Sequence, residues 1–368
     1  MSTEGVDPAV ALERISFDDL EGWRSDDHAA AFSVFLRSCA RVGSPAADPR
    51  PAGSGVPNHK AICDEALAAG TLHERAAWDF FETRFCPHVV TDGDGLLTSY
   101  YEPELPGSLE PTAEFSVPLY ALPDDLVNRR DADPDLLWPG DVTAAMAADE
   151  QSYRPYHDRN ALDGGILDGR GLELVYLADP VDAFFVHIQG STRIRLKDGS
   201  SLRIGYAGKN GHPYTSVGRA LLRDGMIDPT AANAEAMKSW MRANPAVARI
   251  YMHMNRSFVF FRVIDGLDDE LGPVGGQGVQ LTAGRSLAID RDLYAYGLPF
   301  WIEADLPGQN GAESDRFQRL MVAQDTGAAI KGPTRGDIFW GTGGDAGAYA
   351  GQIKVPGKFV ILLPCGTT

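Results

Sequence analysis

Residues 321–347, MVAQDTGAAIKGPTRGDIFWGTGGDAG, set three aspartates, Asp325, Asp337 and Asp345, in a glycine-dense run. Residues 321–323 read as a buried strand leading to Asp325. Residues 337–340, Asp-Ile-Phe-Trp, read as a second short strand with a carboxylate at its head. Residues 341–345 read as a turn and 346–354 as a helix. Glycine lets backbone bend tightly and approach a ligand closely. A carboxylate leading an apolar run sits where desolvation raises its pKa. The same aspartates also suit turns and helix caps, the common role of Asp beside Gly. The run demands tight strand and turn geometry and leaves both roles open.

The chain has 368 residues, enough for two domains with their own cores. Its 40 Gly and 24 Pro favour many turns and a β-rich fold. A net charge of −18 argues against nucleic acid as a partner, because phosphates would be repelled. No apolar run reaches transmembrane length. The opening residues, MSTEGVDPAVALERISF, lack the basic and apolar regions of a signal peptide. A cytoplasmic protein and an exported one shorn of its signal both fit this start. Cys39, Cys63, Cys86 and Cys365 include no C-x-x-C pair, so neither zinc nor a redox centre is expected. The first three fall in helical patterns and are open to one disulfide or to buried free thiols.

Residues 1–90 read as mainly helical. Asp27 caps a helix with Ala31, Phe32, Phe35 and Leu36 on one side, a second helix covers 60–69, and a third runs through Ala76, Trp78, Phe80 and Phe81 until Pro87 stops it. Residues 95–104, GLLTSYYEPE, read as a strand whose Tyr100 and Tyr101 point to opposite faces, one to the core and one free to stack on a ligand. Residues 105–140, rich in Pro, Asp and Leu, mark a crossing into another domain. From Leu172 the chain reads as strands: LELVYL, AFFVHIQG, and the hairpin STRIRLKDGSSLRIGYAG.

A two-residue hairpin loop would mix the faces. A three-residue loop, Lys197-Asp198-Gly199, sets Ile194 opposite Leu202 and Arg193 opposite Arg203, with Arg195 on the same face. Like charges opposite one another destabilise a strand pair, and residues 191–223 hold seven Lys or Arg against one acid. This face either attracts an anionic substrate or is a solvated basic face. Residues 206–222 read as a glycine-rich loop, with Asn210, His212 and Tyr214 as hydrogen-bonding groups, followed by a helix. A further helix runs over 231–243 from a start near Thr230. Residues 255–261 read as the strand returning to the first domain. A strand around 279–281, one over 296–303 broken by Pro299, and a last one over 358–363 complete what looks like a small barrel.

Several familiar chemistries fail on spacing. Asp325-Thr326-Gly327 matches the aspartic-protease signature, which needs two carboxylates sharing a proton and hence a homodimer here. Residues 341–346 mimic a dinucleotide fingerprint, but too little chain follows for its βαβ unit. Asp92-Gly93-Asp94-Gly95 lacks the remaining ligands of a calcium loop. The eight histidines show no metal-ligand spacing, and His187, His212 and His253 read as structural or hydrogen-bonding. No cofactor and no metal is expected. An acid in an apolar setting beside polar glycine-rich loops and aromatics suits polysaccharide chemistry. Breaking a glycosidic bond needs an acid of raised pKa to protonate the leaving oxygen, and Asp337 is the candidate.

The blocks L-T-S-Y-Y-E-P (97–103), H-I-Q-G-S (187–191), Y-A-G-K-N-G-H-P-Y (206–214), S-F-V-F-F-R (257–262), L-T-A-G-R-S-L-A-I-D (281–290) and Q-D-T-G-A-A-I-K-G with D-I-F-W-G-T-G (324–343) run in order over most of the chain after residue 95. Together they resemble the membrane-bound lytic murein transglycosylase A family. The resemblance implies a mainly β, α+β fold: a double-psi β-barrel with N-terminal helices (1–104 plus 256–368), interrupted by a β-rich domain (105–255), with a glycan groove between them. It implies cleavage of the β-1,4 bond between N-acetylmuramic acid and N-acetylglucosamine without water, leaving 1,6-anhydromuramic acid. The catalytic aspartate falls on Asp337, and its supporting companions on Asp325 and Asp345. Thr98, Tyr100, Tyr101, Gln189, Ser191, Tyr206, Asn210 and Lys331 are the implied sugar or peptide contacts.

The partners implied are peptidoglycan glycan strands, with no nucleic acid. The resemblance also implies a monomeric, periplasmic protein held at the outer membrane by a lipid anchor on its precursor. This chain shows neither signal nor lipobox cysteine, which bears on anchoring and not on chemistry. It reads T-S-Y-Y-E where the family has T-G-Y-Y-T, which leaves open the contacts made by Tyr100 and Tyr101. A non-catalytic glycan-binding module and a dimeric DTG protease remain as the other readings.

Overall fold

A computed structural model describes residues 6–7, 10–42, 44, 59–93, 95–229, 233–308 and 313–365. The order begins β1 (Leu12–Arg14), α1 (His28–Arg41), α2 (Lys60–Ala69), α3 (Glu74–Arg84), β2 (Phe85–Val90), β3 (Leu96–Glu102), β4 (Glu104–Ser108) and β5 (Val117–Tyr120). There follow β6 (Val127–Asn128), β7 (Ala144–Ala147), β8 (Tyr153–Pro155), α4 (Arg159–Asp163), β9 (Glu173–Leu177), α5 (Pro180–Gln189), β10 (Ser191–Arg195) and β11 (Ser201–Lys209). The remainder is α6 (Val217–Arg223), α7 (Ala234–Ala243), α8 (Pro245–Met254), β12 (Val259–Val263), β13 (Ser286–Ala288), β14 (Pro299–Pro307), β15 (Ser314–Asp325), β16 (Arg335–Thr342), α9 (Gly344–Ala350) and β17 (Lys354–Pro364). Two compact units result. The first is Met1–Tyr101, Leu267–Gly341 and Asp345–Thr368; the second is Glu102–Gly266 with Thr342–Gly344.

The first unit is built on one sheet in the order β1-β2-β17-β14-β15-β13-β16-β3. Its end turns back, because β3 also pairs with β17, with Lys354 opposite Thr98. The six strands from β17 round to β3 therefore form a closed ring. Both faces of its long strands are buried. Phe300, Ile302, Met321, Ala323, Phe359 and Ile361 belong to one core. Their neighbours Trp301, Leu320, Val322, Val360 and Leu362 pack with Phe32, Phe35, Ile62 and Phe81 of the helices. Double burial is why these strands read as continuous apolar runs rather than alternating ones.

Asp27 caps α1 by accepting from the Ala30 amide at 2.9 Å. A disulfide joins Cys39 of α1 to Cys63 of α2, and a second joins Cys86 to Cys365. This corrects the expectation of one disulfide or free thiols in helices. Cys86 lies in a strand, because α3 ends at Arg84 and β2 continues directly into the sheet between β1 and β17. Val274 and Gln280 form an isolated bridge rather than a strand, and β14 begins at Pro299 instead of being broken by it.

The second unit has a sheet in the order β12-β11-β10-β4-β9-β5 and a smaller one in the order β6-β7-β8. The hairpin takes the expected register, Ile194 opposite Leu202 and Arg193 opposite Arg203. Two expectations fail. Residues 255–261 were expected to return the chain to the first unit, but β12 pairs with β11 and stays in the second. AFFVHIQG was expected to be a strand and is most of α5. Its start is fixed by Asp179, which accepts from the Val181 amide at 2.8 Å, and by Pro180 in the first turn. Gly190 ends it at a φ of 81°. α5 is apolar on nearly every side, so periodicity could not reveal it; the Asp-Pro start and Gly stop could. The expected start of α7 at Thr230 and Ala231 lies outside the described residues, as does Asp94.

Candidate active site

The first unit brings together two of the three aspartates. β13 runs between β15 and β16, and Ala288 is the register partner of Asp325 on one side and Asp337 on the other. Directly paired residues of neighbouring strands project to the same face, so the two carboxylates flank one small side chain. Asp337 is the third residue of β16 rather than its head.

Asp337 is half-buried, and its pKa is raised to about 6. Burial is the main cause. The charge of Arg335 and a hydrogen bond from Thr98 pull it down, and the nearby Asp325 charge pushes it up. The Thr98 hydroxyl donates to Asp337 Oδ1. It accepts in turn from Arg335 Nη2 at 2.7 Å. Arg335 thus steadies the acid through a hydroxyl, with its own pKa lowered by burial. Oδ1 is occupied, so Oδ2 is the oxygen that can deliver a proton.

Asp325 is 6% exposed. Its Oδ1 accepts from the Gly276 and Thr326 amides at 2.8 Å each, and its Oδ2 from the Tyr100 hydroxyl at 2.7 Å. Gly276 is required here: a Cβ would lie 2.5 Å from the Tyr296 oxygen and 3.3 Å from Asp325 Oδ1. Tyr100 is therefore held inward, also meeting Phe339 at 5.5 Å between ring centres. Tyr101 lies against α9, where a Cβ at Gly347 would come within 2.5 Å of its ring.

The remaining expected site residues are placed differently. Asp345 is exposed in the first turn of α9, and among the described residues no hydrogen bond joins it to Asp325 or Asp337. Lys331 pairs with Asp290 at 3.0 Å and with Asp292. Gln189, Ser191, Tyr206 and Asn210 belong to the second unit. Gln189 and Tyr206 are half-buried and Ser191 is buried.

Asn210 corrects the expectation of a sugar contact. It is 0% exposed; its amide donates to the carbonyls of His157 and Arg256 at 2.9 and 2.8 Å and accepts from the Phe258 amide at 2.9 Å. The basic hairpin face is buried at Arg203 and exposed at Arg195 and Lys197, and all three meet acids. Arg203 is 7% exposed and lies 3.3 Å from the buried Glu102, while Arg195 and Lys197 pair with Glu104 and Glu114. These acids sit about ninety residues away in sequence, which hid the pairing from local charge counting. Among the described residues no cluster of three His, Cys, Asp or Glu could hold a metal ion.

Two family models match in tandem, the MltA specific insert domain over residues 96–262 and the 3D domain over 285–363. The crystal structure of the membrane-bound lytic murein transglycosylase from Agrobacterium tumefaciens is 35% identical. It superposes with a TM-score of 0.86 over 96% of this chain and 98% of that one. The chain belongs to the membrane-bound lytic murein transglycosylase A family. The Vibrio cholerae member of the family is 31% identical over 72% of this chain and 64% of its own. This chain therefore spans under two thirds of that relative's length. Escherichia coli MltA, solved with bound chitohexaose, is 25% identical with a TM-score of 0.69 over 99% of this chain and 96% of that one. Sequence reading missed Arg335, Ala288 and Gly276. Arg335 stands two residues before Asp337, on the same face of a strand, and that spacing was the available signal.

Proposed function

We propose that this chain is a lytic transglycosylase that cleaves peptidoglycan glycan strands. The observation that carries the reading is the half-buried Asp337, held near pKa 6 with its Thr98 and Arg335 partners in place. Family membership and the chitohexaose bound to Escherichia coli MltA support a glycan as substrate. The bond cut is the β-1,4 link between N-acetylmuramic acid and N-acetylglucosamine.

Protonated Asp337 gives its proton to the glycosidic oxygen as the bond from C1 breaks. The C6 hydroxyl oxygen of the muramic acid residue then bonds to C1, and its proton passes to Asp337. The product is a 1,6-anhydromuramic acid end, and the acid is restored without water. A hydrolase of the usual kind needs a second carboxylate as base or nucleophile. Asp325 is buried under three donors, so it supplies charge and strand geometry instead. Of the expected sugar or peptide contacts, Tyr101, Gln189, Ser191, Tyr206 and Lys331 keep that role in this reading, while Thr98 and Tyr100 are engaged by Asp337 and Asp325; Asp345 is a supporting residue.

The six-stranded ring is, on this reading, a double-psi β-barrel. Two disulfides suit an oxidising compartment such as the periplasm. The chain acts there as a monomer, tethered at the outer membrane through its precursor. Among the described residues no helix is long and apolar enough to cross a membrane.

The test is digestion of purified murein sacculi with mass analysis of the products. Anhydro-muropeptides from the parent, absent with Asp337→Ala and Asp337→Asn, are expected. Reducing ends would make it a hydrolase, and binding without products would leave a glycan-binding module.

A further inference from the structure

A cavity of about 670 Å³ opens within the second unit, walled by β5, α4, β9, α5 and α8 and remote in sequence from Asp325 and Asp337. One wall holds Arg159, which is 2% exposed. Its Nε and Nη2 donate to the Asn255 and Ser257 carbonyls at 3.0 and 2.6 Å. Its guanidinium carbon stands 4.9 Å from the Phe184 ring centre and 5.1 Å from that of Phe258. Burial lowers its pKa to about 10, so it remains charged near neutrality. Among the described residues no carboxylate lies within ion-pair distance of Arg159, and no protein acceptor meets its Nη1. Carbonyls and ring faces fix the group in place and attract it, yet they leave its charge un-neutralised. A buried cation costs stability unless an anion reaches it.

The charges around it are arranged as two groups. Arg159, Arg249 and His253 all act on the single carboxylate of Asp163, with His253 Nε2 3.2 Å from it. Asp168 and Glu173 form the opposite kind of group. Both act on Tyr120 and Tyr176, and the Tyr120 hydroxyl reaches Asp168 Oδ1 at 3.4 Å. Among the described residues neither Asp168 nor Glu173 has an ion pair. Val117, Pro118, Leu162 and Met252 supply apolar surface to the same cavity. His187, also lining it, accepts from the Val259 amide at 3.2 Å and is kept neutral by burial.

An excess cation, two unpaired acids and an apolar wall in one cavity suit a ligand with both charges on a short body. We propose that this cavity binds a zwitterion of amino-acid or short-peptide type, its carboxylate at the Arg159 group and its ammonium at Asp168 and Glu173. A bidentate carboxylate is what a fixed guanidinium recognises best. The same chemistry is offered by free dipeptides and by peptide stems attached to a glycan.

Calorimetric titration of the full chain carrying Asp337→Asn tests this, so the result does not depend on the reaction proposed above. The probes are alanyl-alanine in its L,L and D,D forms, the N-acetylated and C-amidated counterparts, and a purified stem-bearing muropeptide. Saturable binding of a zwitterionic dipeptide or the stem is expected, with each blocked form at least about tenfold weaker, a loss of about 1.4 kcal/mol. Glu173→Gln should erase the preference for a free ammonium, and Arg249→Ala should weaken every carboxylate-bearing form. Both positions lie off the buried core, and circular dichroism of each variant is the check on its folding. Tighter binding of the muropeptide than of dipeptides makes the source a stem; the reverse makes it a free peptide, and either supports the proposal. No saturable binding, equal binding of blocked and free forms, or parental affinity in both variants overturns it.

Discussion

Asp337 is held between opposing influences, and each can be removed singly. Its folded pKa of about 6 stands above the ordinary 3.8, so the folded chain binds this proton more tightly than the unfolded one. The resulting stabilisation is complete below the unfolded value and is lost as pH rises through about 6. Asp337→Asn should therefore stabilise the protein at pH 8 by up to about 3 kcal/mol, shrinking to nothing near pH 3, as read by denaturant unfolding at both pH values. In the proposed reaction the protonated carboxyl is the active form, so kcat/KM should fall as pH rises through about 6. Arg335→Met and Thr98→Val remove groups that lower this pKa and should move that fall to higher pH. Asp325→Asn removes a charge that raises it and should move the fall lower. A pH profile unmoved by all three would separate Asp337 from the rate. Asp337 was legible from its apolar run, because desolvation follows from adjacent sequence. Ala288 and Gly276 were not, since their importance lies in what other strands place beside them.

At the scale of elements, register declared itself only where one face differs from the other. The hairpin register could be derived because side chains alternate with a period of two and an Asp-Gly turn limits the loop. α5 could not, because Phe184, Phe185 and Val186 bury in succession and mask any period. Its true signal is at its ends. Gly190 has open space where a side-chain methyl would stand, but it holds a φ of 81°. Gly190→Ala should thus cost about 1 kcal/mol through backbone strain alone, seen as a lower denaturant midpoint with an unchanged slope. The Cys39–Cys63 bond closes 24 residues between α1 and α2. Replacing both cysteines with alanine should lower stability by about 3 kcal/mol, and reductant should then have a smaller effect on the melting temperature than in the parent.

Across the whole molecule the two units differ in how their parts are distributed. All strands of the second unit's sheets fall between residues 104 and 263, whereas the first unit draws strands from residues 12 to 102 and again from 286 to 364. The sequence disclosed an insertion through its change of texture, but the return point was misplaced because β12 is as apolar as the strands beyond it. β17 is the last element and lies in the middle of the first unit's sheet, between β2 and β14. It also faces β3, where Lys354 is opposite Thr98, the residue that donates to Asp337. A chain emerging from its N-terminus can complete the second unit while the first still lacks a central strand. Deleting residues 354–364 should abolish cooperative melting of the first unit. Spectroscopy at successive lengths should find β3 paired on one side only, with β16, until this strand docks. In the proposed reaction, the surroundings of the acid would thus be completed only once β17 has joined the sheet.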